Sequence, residues 1–289
     1  MGERANSNLS RTVAIQGERG SFSHAAVLDL LGYDWMPQPH ATFDSAFQAV
    51  VDGKAERALI PVENSLAGSI HENYDRLRAL PLHIVGETQL RIRQCLIARP
   101  GTSLGIVRRV ASHPVALAQC RQFFADRPQI EAVATYDTAG SVMALLRDGP
   151  ATQAAIGPAL AASLYGGQIL LEGIEDDPEN YTRFLLLARD SVTVADASKT
   201  SIVFTLENVP GALHRALGAF ASRGADLAKI ESRPLRGRPW EYAFYLDVLG
   251  DPNGVVAAAI EDLRAVARDL RVLGSYPAAV AALGAAPRI

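Results

Sequence analysis

Thr182 and Arg183 place a hydroxyl beside a guanidinium, directly before the apolar segment Phe184 to Ala188. An acidic turn, Glu175 to Asn180, precedes them, which predicts that the pair lies where a loop enters a sheet. A guanidinium can bind a carboxylate through two parallel hydrogen bonds, and a threonine hydroxyl can donate or accept one more. The pair would therefore suit a small anion. On chemistry alone, the same residues fit better a strand-initial threonine and a surface arginine.

Several small polar residues follow predicted strands, and in open α/β sheets ligands bind beyond the carboxyl ends of the strands. These residues are Ser21, Ser23, Asn64, Ser65, Ser112, His113 and Thr138. Each could instead cap a helix, since serine, threonine and asparagine are preferred at that position. Together with Arg183 they describe a polar cleft with neutral donors and one fixed cation. Such a cleft suits a small, polar dicarboxylate.

The segments that must position these residues alternate between strand-like and helix-like patterns over the first 188 residues, which predicts an α/β domain with a mostly parallel sheet. Thr12 to Gly17 is typical of a strand, and Ser23 to Gly32 of the following helix. A helix capped by Asp44 is expected next, and its pattern returns at Tyr136 to Leu146. Two similar halves indicate two lobes that face each other across a cleft.

The C-terminal third has a different order of predicted elements. Residues 189–199 lack periodicity and predict a linker. The strands and helices expected beyond it are strand Thr200 to Glu207, helix Pro210 to Arg223, strands Leu227 to Pro234 and Glu241 to Val248, helix Val255 to Ala267, and strand Leu270 to Tyr276. This βαββαβ order fits a ferredoxin-like sandwich, with Pro210 in the first helical turn.

Composition excludes several classes of protein. Hydrophobic residues make up 48% of the 289 residues and charged residues 20%, and the net charge of −3 gives no general attraction to nucleic acid or to anionic membranes. No apolar run approaches the ~20 residues that span a bilayer, and the N-terminus lacks the apolar core of a signal peptide, so a cytoplasmic protein is expected. Cys95 and Cys120 have no zinc spacing, and we expect buried thiols and no metal.

Seven segments resemble, in order, the blocks of a known family. Five of them are similar to prephenate dehydratases: Gly17 to Ala26, Ala58 to Ile70, Ser112 to Cys120, Tyr136 to Val142, and the TRF signature at residues 182–184. Two more, Lys199 to Leu213 and Glu231 to Pro234, resemble the amino-acid-sensing ACT domain that follows the catalytic domain in that family. The resemblance covers residues 12–278. Ser21 stands where the family often has threonine, and Pro158 replaces a serine.

The resemblance implies a domain organisation. The catalytic domain would span residues 12–188 and have the two-lobed fold of periplasmic binding proteins. Lobe 1 would comprise about 12–88 and 172–188, and lobe 2 about 89–171, with crossings near Glu87 to Arg93 and Gly166 to Glu172. A linker at 189–199 and an ACT domain at 200–278 would follow.

The resemblance also implies an activity, the decarboxylating dehydration of prephenate to phenylpyruvate without a cofactor. Thr182 would donate to the departing hydroxyl, and Arg183 would anchor a carboxylate. The other substrate-binding residues would be Asn64, Ser65, Ser21 and Phe184. Two alternatives remain open: arogenate dehydratase, which performs the same chemistry on the amino form of the substrate, and a two-lobed sensing module without activity.

The C-terminal motifs would bind phenylalanine between ACT domains of two subunits, as the resemblance implies. The residues involved would be Asn208, Gly211, Ala212, Leu213, Glu231 and Ser232. We expect feedback inhibition by phenylalanine and a homodimer or homotetramer. On the residues alone, these segments could be a tight turn and the end of an edge strand.

Overall fold

The computed structural model describes residues 11–279. By packing, the described chain forms two compact units. The first contains residues 11–69 and 89–184, and the second contains residues 70–88 and 185–279. The predicted lobe 1 ran to about residue 88, whereas residues 70–88 pack with the C-terminal part of the chain.

Strands make up most of the framework of both units. The strands are β1 (Thr12–Gln16), β2 (Met36–His40), β3 (Arg57–Asn64), β4 (Gly68–Ser69), β5 (His83–Arg91), β6 (Cys95–Ala98), β7 (Arg109–Ser112), β8 (Glu131–Ala134), β9 (Gln153–Gly157), β10 (Gln168–Glu172), β11 (Tyr181–Ala188), β12 (Lys199–Thr205), β13 (Asp226–Pro234), β14 (Tyr242–Leu249) and β15 (Asp269–Tyr276).

The helices are all short. They are α1 (Phe22–Leu31), α2 (Phe43–Val51), α3 (His71–Ala79), α4 (Pro114–Ala118), α5 (Arg121–Ala125), α6 (Thr138–Asp148), α7 (Ala159–Tyr165), α8 (Ala212–Ala221) and α9 (Val255–Arg264). Within residues 11–279, none of them is long and apolar enough to cross a bilayer.

Two mixed sheets underlie the predicted α/β region. The first has the order β2-β1-β3-β11-β5, with β4 paired to β3, and the second has the order β10-β6-β9-β7-β8. Strand β1 pairs in parallel with β2 and β3, and β7 with β8 and β9, whereas β6 pairs antiparallel with β9 and β10. The expected mostly parallel sheet is therefore mixed, because β6 and β10 lie where the chain enters and leaves the second sheet.

The chain passes between these sheets twice. It leaves the first sheet after Arg91 and returns to it at Tyr181. The return was expected at Gly166 to Glu172, but those residues include β10, which pairs with β6 in the second sheet. The return therefore occupies residues 173–180, the acidic turn that leads to the hydroxyl–guanidinium pair.

The third sheet confirms the βαββαβ prediction. Its order is β13-β14-β12-β15, with every adjacent pair antiparallel. Helices α8 and α9 pack on it through one apolar core that includes Phe204, Phe220, Leu246 and Leu263. The predicted boundaries of these elements hold to within a few residues.

Two predicted helix starts were wrong. Thr42, not Asp44, caps α2: its hydroxyl accepts the N–H of Ser45, and the Ser45 side chain returns the bond in a capping box. Asp44 lies inside the first turn, where its charge still favours the helix dipole. Pro210 lies before α8, because Gly211, with φ of 78°, forms the cap in a left-handed conformation.

Candidate active site

Asn64, the last residue of β3, has its amide orientation fixed by the backbone. Its Oδ1 accepts the N–H of Leu66 at 3.1 Å and of Ala67 at 2.9 Å. Only the amide oxygen can accept, so the Nδ2 group must point the other way. The loop after β3 thus holds Asn64 as a donor aimed at the chain segment that returns from the second sheet.

Three acceptors in that segment surround Asn64 Nδ2. They are Asn180 Oδ1 at 2.7 Å, Thr182 Oγ1 at 3.0 Å and the carbonyl of Tyr181 at 3.1 Å. Because Thr182 accepts a hydrogen bond from Asn64, its own proton is left to donate elsewhere. Thr182 is only 9% exposed. A hydroxyl held this way is an oriented donor in a site with little water, where a hydrogen bond to developing charge is strong.

Ser65 braces the same loop. Its hydroxyl donates to the carbonyl of Glu179 at 2.7 Å and accepts the N–H of Tyr181 at 2.9 Å. The backbone N–H of Ser65 also donates to the Tyr181 carbonyl at 2.8 Å. The single proton of the Ser65 hydroxyl is therefore already used, and its contacts hold the segment that carries Thr182.

Strand alternation separates the members of the TRF signature. Thr182 and Phe184 share the buried face of β11, and Arg183 lies on the opposite face, half-buried. Phe184 is packed in the core. Arg183 interacts with other groups of the protein. The three residues that the sequence places side by side thus have different surroundings, and Thr182 is the one that contacts Asn64.

Ser21 begins the helix after β1. It caps α1, its hydroxyl accepting the N–H of His24 at 3.3 Å. His24 Nδ1 in turn accepts the N–H of Gly20 at 2.9 Å. Burial, followed by the charge of Arg19, lowers the pKa of His24, which favours the neutral ring that this contact needs. Ser21 is buried, and its hydroxyl caps α1.

Asp137 links the loop after β1 to the start of α6. Its carboxylate caps α6 through the N–H of Gly140 at 2.7 Å and also accepts the N–H of Glu18. Burial raises the pKa of Asp137, and the charge of Glu18 adds to the rise. A Cβ on Gly17, where φ is 96°, would lie 2.7 Å from Asp137 Oδ2. Only glycine allows this approach.

Tyr136, just before α6, and Tyr165, at the end of α7, both contact the loop after β1. Tyr136 Oη donates to Glu18 Oε1 at 3.2 Å, and Tyr165 Oη donates to the carbonyl of Arg19 at 2.7 Å. Tyr136 is 118 positions from Glu18 along the chain, and Tyr165 is 146 positions from Arg19. No local pattern in the sequence indicated that these tyrosines contact the loop.

A cavity of about 210 Å³ in the second unit collects four of the predicted effector residues, Asn208, Gly211, Ala212 and Leu213. Aromatic side chains complete the lining, which also includes Trp240, Tyr242 and Phe244. Glu231 and Ser232 are not among the lining residues and lie on β13.

Glu231 Oε1 lies 3.3 Å from His71 Nε2. Within one chain, the structure therefore brings the first effector motif to the cavity but not the second.

The cysteines are free and buried, as expected. Burial is the main cause that raises the pKa of Cys95 to about 11 and of Cys120 to about 12, so both remain thiols near neutral pH. In the part of the chain that the structure describes, no three His, Cys, Asp or Glu side chains form a group that could hold a metal ion.

A family model described as prephenate dehydratase matches residues 13–192, and one described as ACT domain matches residues 200–268. An Arabidopsis thaliana protein named arogenate dehydratase/prephenate dehydratase 2, chloroplastic, is 43% identical over 284 residues, which cover 94% of this chain and 74% of that relative.

Two solved structures are similar to the chain over most of its length. A prephenate dehydratase from Arthrobacter aurescens in complex with L-Phe has a TM-score of 0.84 and 36% identity, over 93% of this chain and 90% of that one. A structure described as GqqA, a novel type of quorum quenching acylase, has the same TM-score and identity, over 93% of this chain and 98% of that one.

Proposed function

The chain belongs to the prephenate dehydratase family and carries an ACT domain after the dehydratase domain, and we propose that it converts prephenate to phenylpyruvate, carbon dioxide and water. The bond to the ring carboxylate breaks and its electron pair enters the ring, while the ring hydroxyl leaves with the electrons of its own bond. The departing hydroxide becomes water on gaining a proton. Formation of the aromatic ring supplies the driving force, so these bond changes need no cofactor.

The observation that carries this proposal is the hydrogen bond from Asn64 Nδ2 to Thr182 Oγ1 at 3.0 Å. It leaves the proton of Thr182 for the departing hydroxyl group. Threonine is a weak acid, so the role is that of a preorganised donor to developing negative charge. Asn64 acts in this scheme by orienting Thr182, and Ser65 by bracing the segment before it.

Arg183 is proposed to anchor a substrate carboxylate, since a guanidinium can bind a carboxylate through two hydrogen bonds. Its position on the opposite face of β11 means that it would approach the substrate from a different side than Thr182. Ser21 is proposed to orient the substrate from the start of α1, and Phe184 to contribute by packing β11. Arg183→Ala should mainly raise KM if the arginine binds ground and transition states equally.

Steady-state turnover of prephenate by purified protein tests the assignment of Thr182. Thr182→Ala should lower kcat by ~10²–10³, the scale for one preorganised donor, and Thr182→Ser should retain most activity because it keeps the hydroxyl. Thr102→Ala provides the matched control, since Thr102 is also buried and lies elsewhere in the first unit. Near-normal kcat in Thr182→Ala would remove this assignment.

Substrate choice is tested by the same assay. Prephenate is proposed as the substrate, and arogenate is the alternative because the Arabidopsis relative is named for both. An N-acyl amide belongs in the substrate panel because one similar structure is described as an acylase. Turnover of arogenate alone would replace the proposed substrate. Turnover of none of the three would favour the inactive sensing module. A cytoplasmic location remains a prediction.

Phenylalanine is proposed as a feedback inhibitor that binds the ACT domain of a homodimer or homotetramer. The cavity beside Gly211 has an aromatic lining, which suits an aromatic side chain. Among the described residues, no side chain caps the start of α8, which leaves its first backbone N–H groups to bind a polar group of the ligand. We expect a coupling of ~1–3 kcal/mol between effector and substrate sites. Kinetics unchanged at saturating phenylalanine would contradict this, and light scattering would give the oligomeric state.

A further inference from the structure

Asn180 carries a buried donor that the protein leaves unused. The side chain is 0% exposed, and its Oδ1 accepts a hydrogen bond from Asn64 Nδ2 at 2.7 Å. Among residues 11–279, no acceptor lies within reach of its Nδ2 group. Asn180 was not among the predicted site residues.

The orientation of this amide follows from its neighbour. Two backbone N–H groups hold Asn64 Oδ1, so Asn64 must present Nδ2 to Asn180. If the oxygen and nitrogen of Asn180 were exchanged, two NH₂ groups would face each other without an acceptor. The unused group of Asn180 is therefore the donor and not the acceptor.

A buried donor without a partner is unfavourable, and native proteins retain few of them. Those that remain are typically satisfied by an ordered water molecule, an ion or a ligand. Asn180 therefore indicates a nearby position for an oxygen atom that the protein itself does not supply.

Asn180 and Thr182 stand on the same side of Asn64. Asn64 Nδ2 contacts Asn180 Oδ1 and Thr182 Oγ1 at once, so both side chains lie within one hydrogen bond of the same nitrogen atom. Each then has a proton left to donate. Two fixed donors beside one another form the arrangement that stabilises a developing oxyanion, because neither has to reorganise during the reaction.

We propose that Asn180 Nδ2 and the Thr182 hydroxyl together receive the oxygen of the departing hydroxyl group. This rests on the proposed dehydratase function and adds a second catalytic residue to it. The carbon–oxygen bond breaks with its electron pair on oxygen, and the two hydrogen bonds shorten as charge builds up there. Asn180 donates without giving up its proton.

Asn180→Asp is the first test, because it keeps the oxygen that accepts from Asn64 and removes both N–H donors. We expect kcat for prephenate to fall by ~10²-fold, the scale for one such donor, with a smaller change in KM. As pH falls, the carboxyl of this variant gains a proton and can donate again. Its kcat should then rise relative to wild type, with the uncatalysed rate subtracted at each pH.

Asn73→Asp is the matched control, since Asn73 is equally buried and lies on α3 in the second unit. It should reduce the unfolding temperature without the pH-dependent recovery of kcat. A kcat within threefold of wild type in Asn180→Asp would overturn the proposal, as would an equal loss at every pH. Absence of turnover in the wild type would overturn the proposed function itself, a different result.

A second measurement uses the wild-type protein and so does not depend on whether the variant folds. The protein is labelled with ¹⁵N-asparagine and titrated with a ring-saturated prephenate analogue, which keeps both carboxylates and the hydroxyl but cannot become aromatic. The side-chain amide resonances of Asn180 should shift on binding. Unchanged resonances at saturation would overturn the proposal.

Discussion

Two buried polar networks, one in each unit, use their hydrogen-bonding groups differently. In the first unit, Asn64 is fully engaged, yet it leaves donors on Thr182 and Asn180. In the second unit, Lys199 Nζ lies 2.5 Å from Glu87 Oε1, and the N–H of Ala279 donates to the same oxygen at 2.8 Å. The first network leaves two donors available to a bound molecule. The second network satisfies its charged groups with other groups of the protein.

Arg271 belongs to the second kind. It donates to the carbonyl of Leu80 at 2.8 Å and to that of Leu82, just beyond the end of α3. Its Nη1 also lies 3.4 Å from the carbonyl of Leu77 and 3.5 Å from that of Arg78, in the last turn of α3, where carbonyls lack intrahelical partners. Burial lowers the pKa of Arg271, and the carbonyls around its guanidinium compensate for the lost water. Removal of a group that binds within the protein, such as Arg271, is expected to change the stability of the fold. Removal of a donor that the protein leaves unused, such as that of Asn180, should change activity.

The largest effect is expected from Glu87→Ala, which leaves Lys199 charged and buried without its carboxylate. The two side chains are 0% and 9% exposed, so the free energy of unfolding should fall by ~3–5 kcal/mol. Urea titration measures this loss. Glu72→Ala, which removes the ion pair between an exposed Glu72 carboxylate and Arg76 on α3, should cost at most ~0.5 kcal/mol.

A further variant, Glu87→Gln with Lys199→Met, tests whether the loss comes from the unpaired charge. Because it removes both charges, it should recover much of the stability that Glu87→Ala loses. If all three variants unfolded at the same urea concentration, the second network would not be structural and the comparison would fail.

Asn64→Asp should have the next largest effect, which is a loss of activity. The carboxylate keeps the contacts to Leu66 and Ala67 but can no longer donate to Thr182. Thr182 would then donate its proton to the new carboxylate instead of to the substrate. We expect kcat to fall by ~10²-fold, similar to the loss of one preorganised donor. Wild-type kcat in this variant would show that Asn64 does not orient Thr182.

A smaller loss is expected from Arg233→Lys in the second unit. Arg233 binds Asp75 through two nitrogens, Nε at 3.3 Å and Nη2 at 3.0 Å, and both side chains are partly buried. Lysine keeps the charge but cannot form the two parallel hydrogen bonds of the guanidinium, so the free energy of unfolding should fall by ~1 kcal/mol in thermal unfolding. Arg264→Lys, at an exposed pair with Glu261, should be neutral. Equal changes in stability for Arg233→Lys and Arg264→Lys would mean that the paired hydrogen bonds to Asp75 do not stabilise the protein.

The smallest effect is expected from Asp137→Asn, and it depends on pH. Because the folded protein raises the pKa of Asp137, its ionised form is less favourable in the folded than in the unfolded chain. Its contribution to stability therefore falls as pH rises from 3.8 through the raised value. Asparagine does not titrate and caps a helix equally well. The stability of the variant relative to wild type should increase with pH across that window in urea titrations, and a flat difference would contradict it.

Local patterns predicted the C-terminal βαββαβ order well, because each of its strands and helices has its own periodicity and its own turn residues. The start of α2 was mispredicted, since threonine and aspartate both favour the capping position. In the folded chain Thr42 has the extended backbone conformation of a cap, and Asp44 is already helical. The return from the second sheet was placed too early because β10 pairs antiparallel with β6, and strand partners are not encoded in local periodicity.

The amino-acid sequence by itself determined the family, the order of elements and the position of Thr182 at the start of a strand. The tertiary structure alone decided that Asn64 orients Thr182, that Asn180 keeps an unused donor and that residues 70–88 pack with the second unit. The physical reason is distance along the chain. Asn64 lies 116 and 118 positions from Asn180 and Thr182, and a hydrogen bond between such residues exists only after the sheet has assembled.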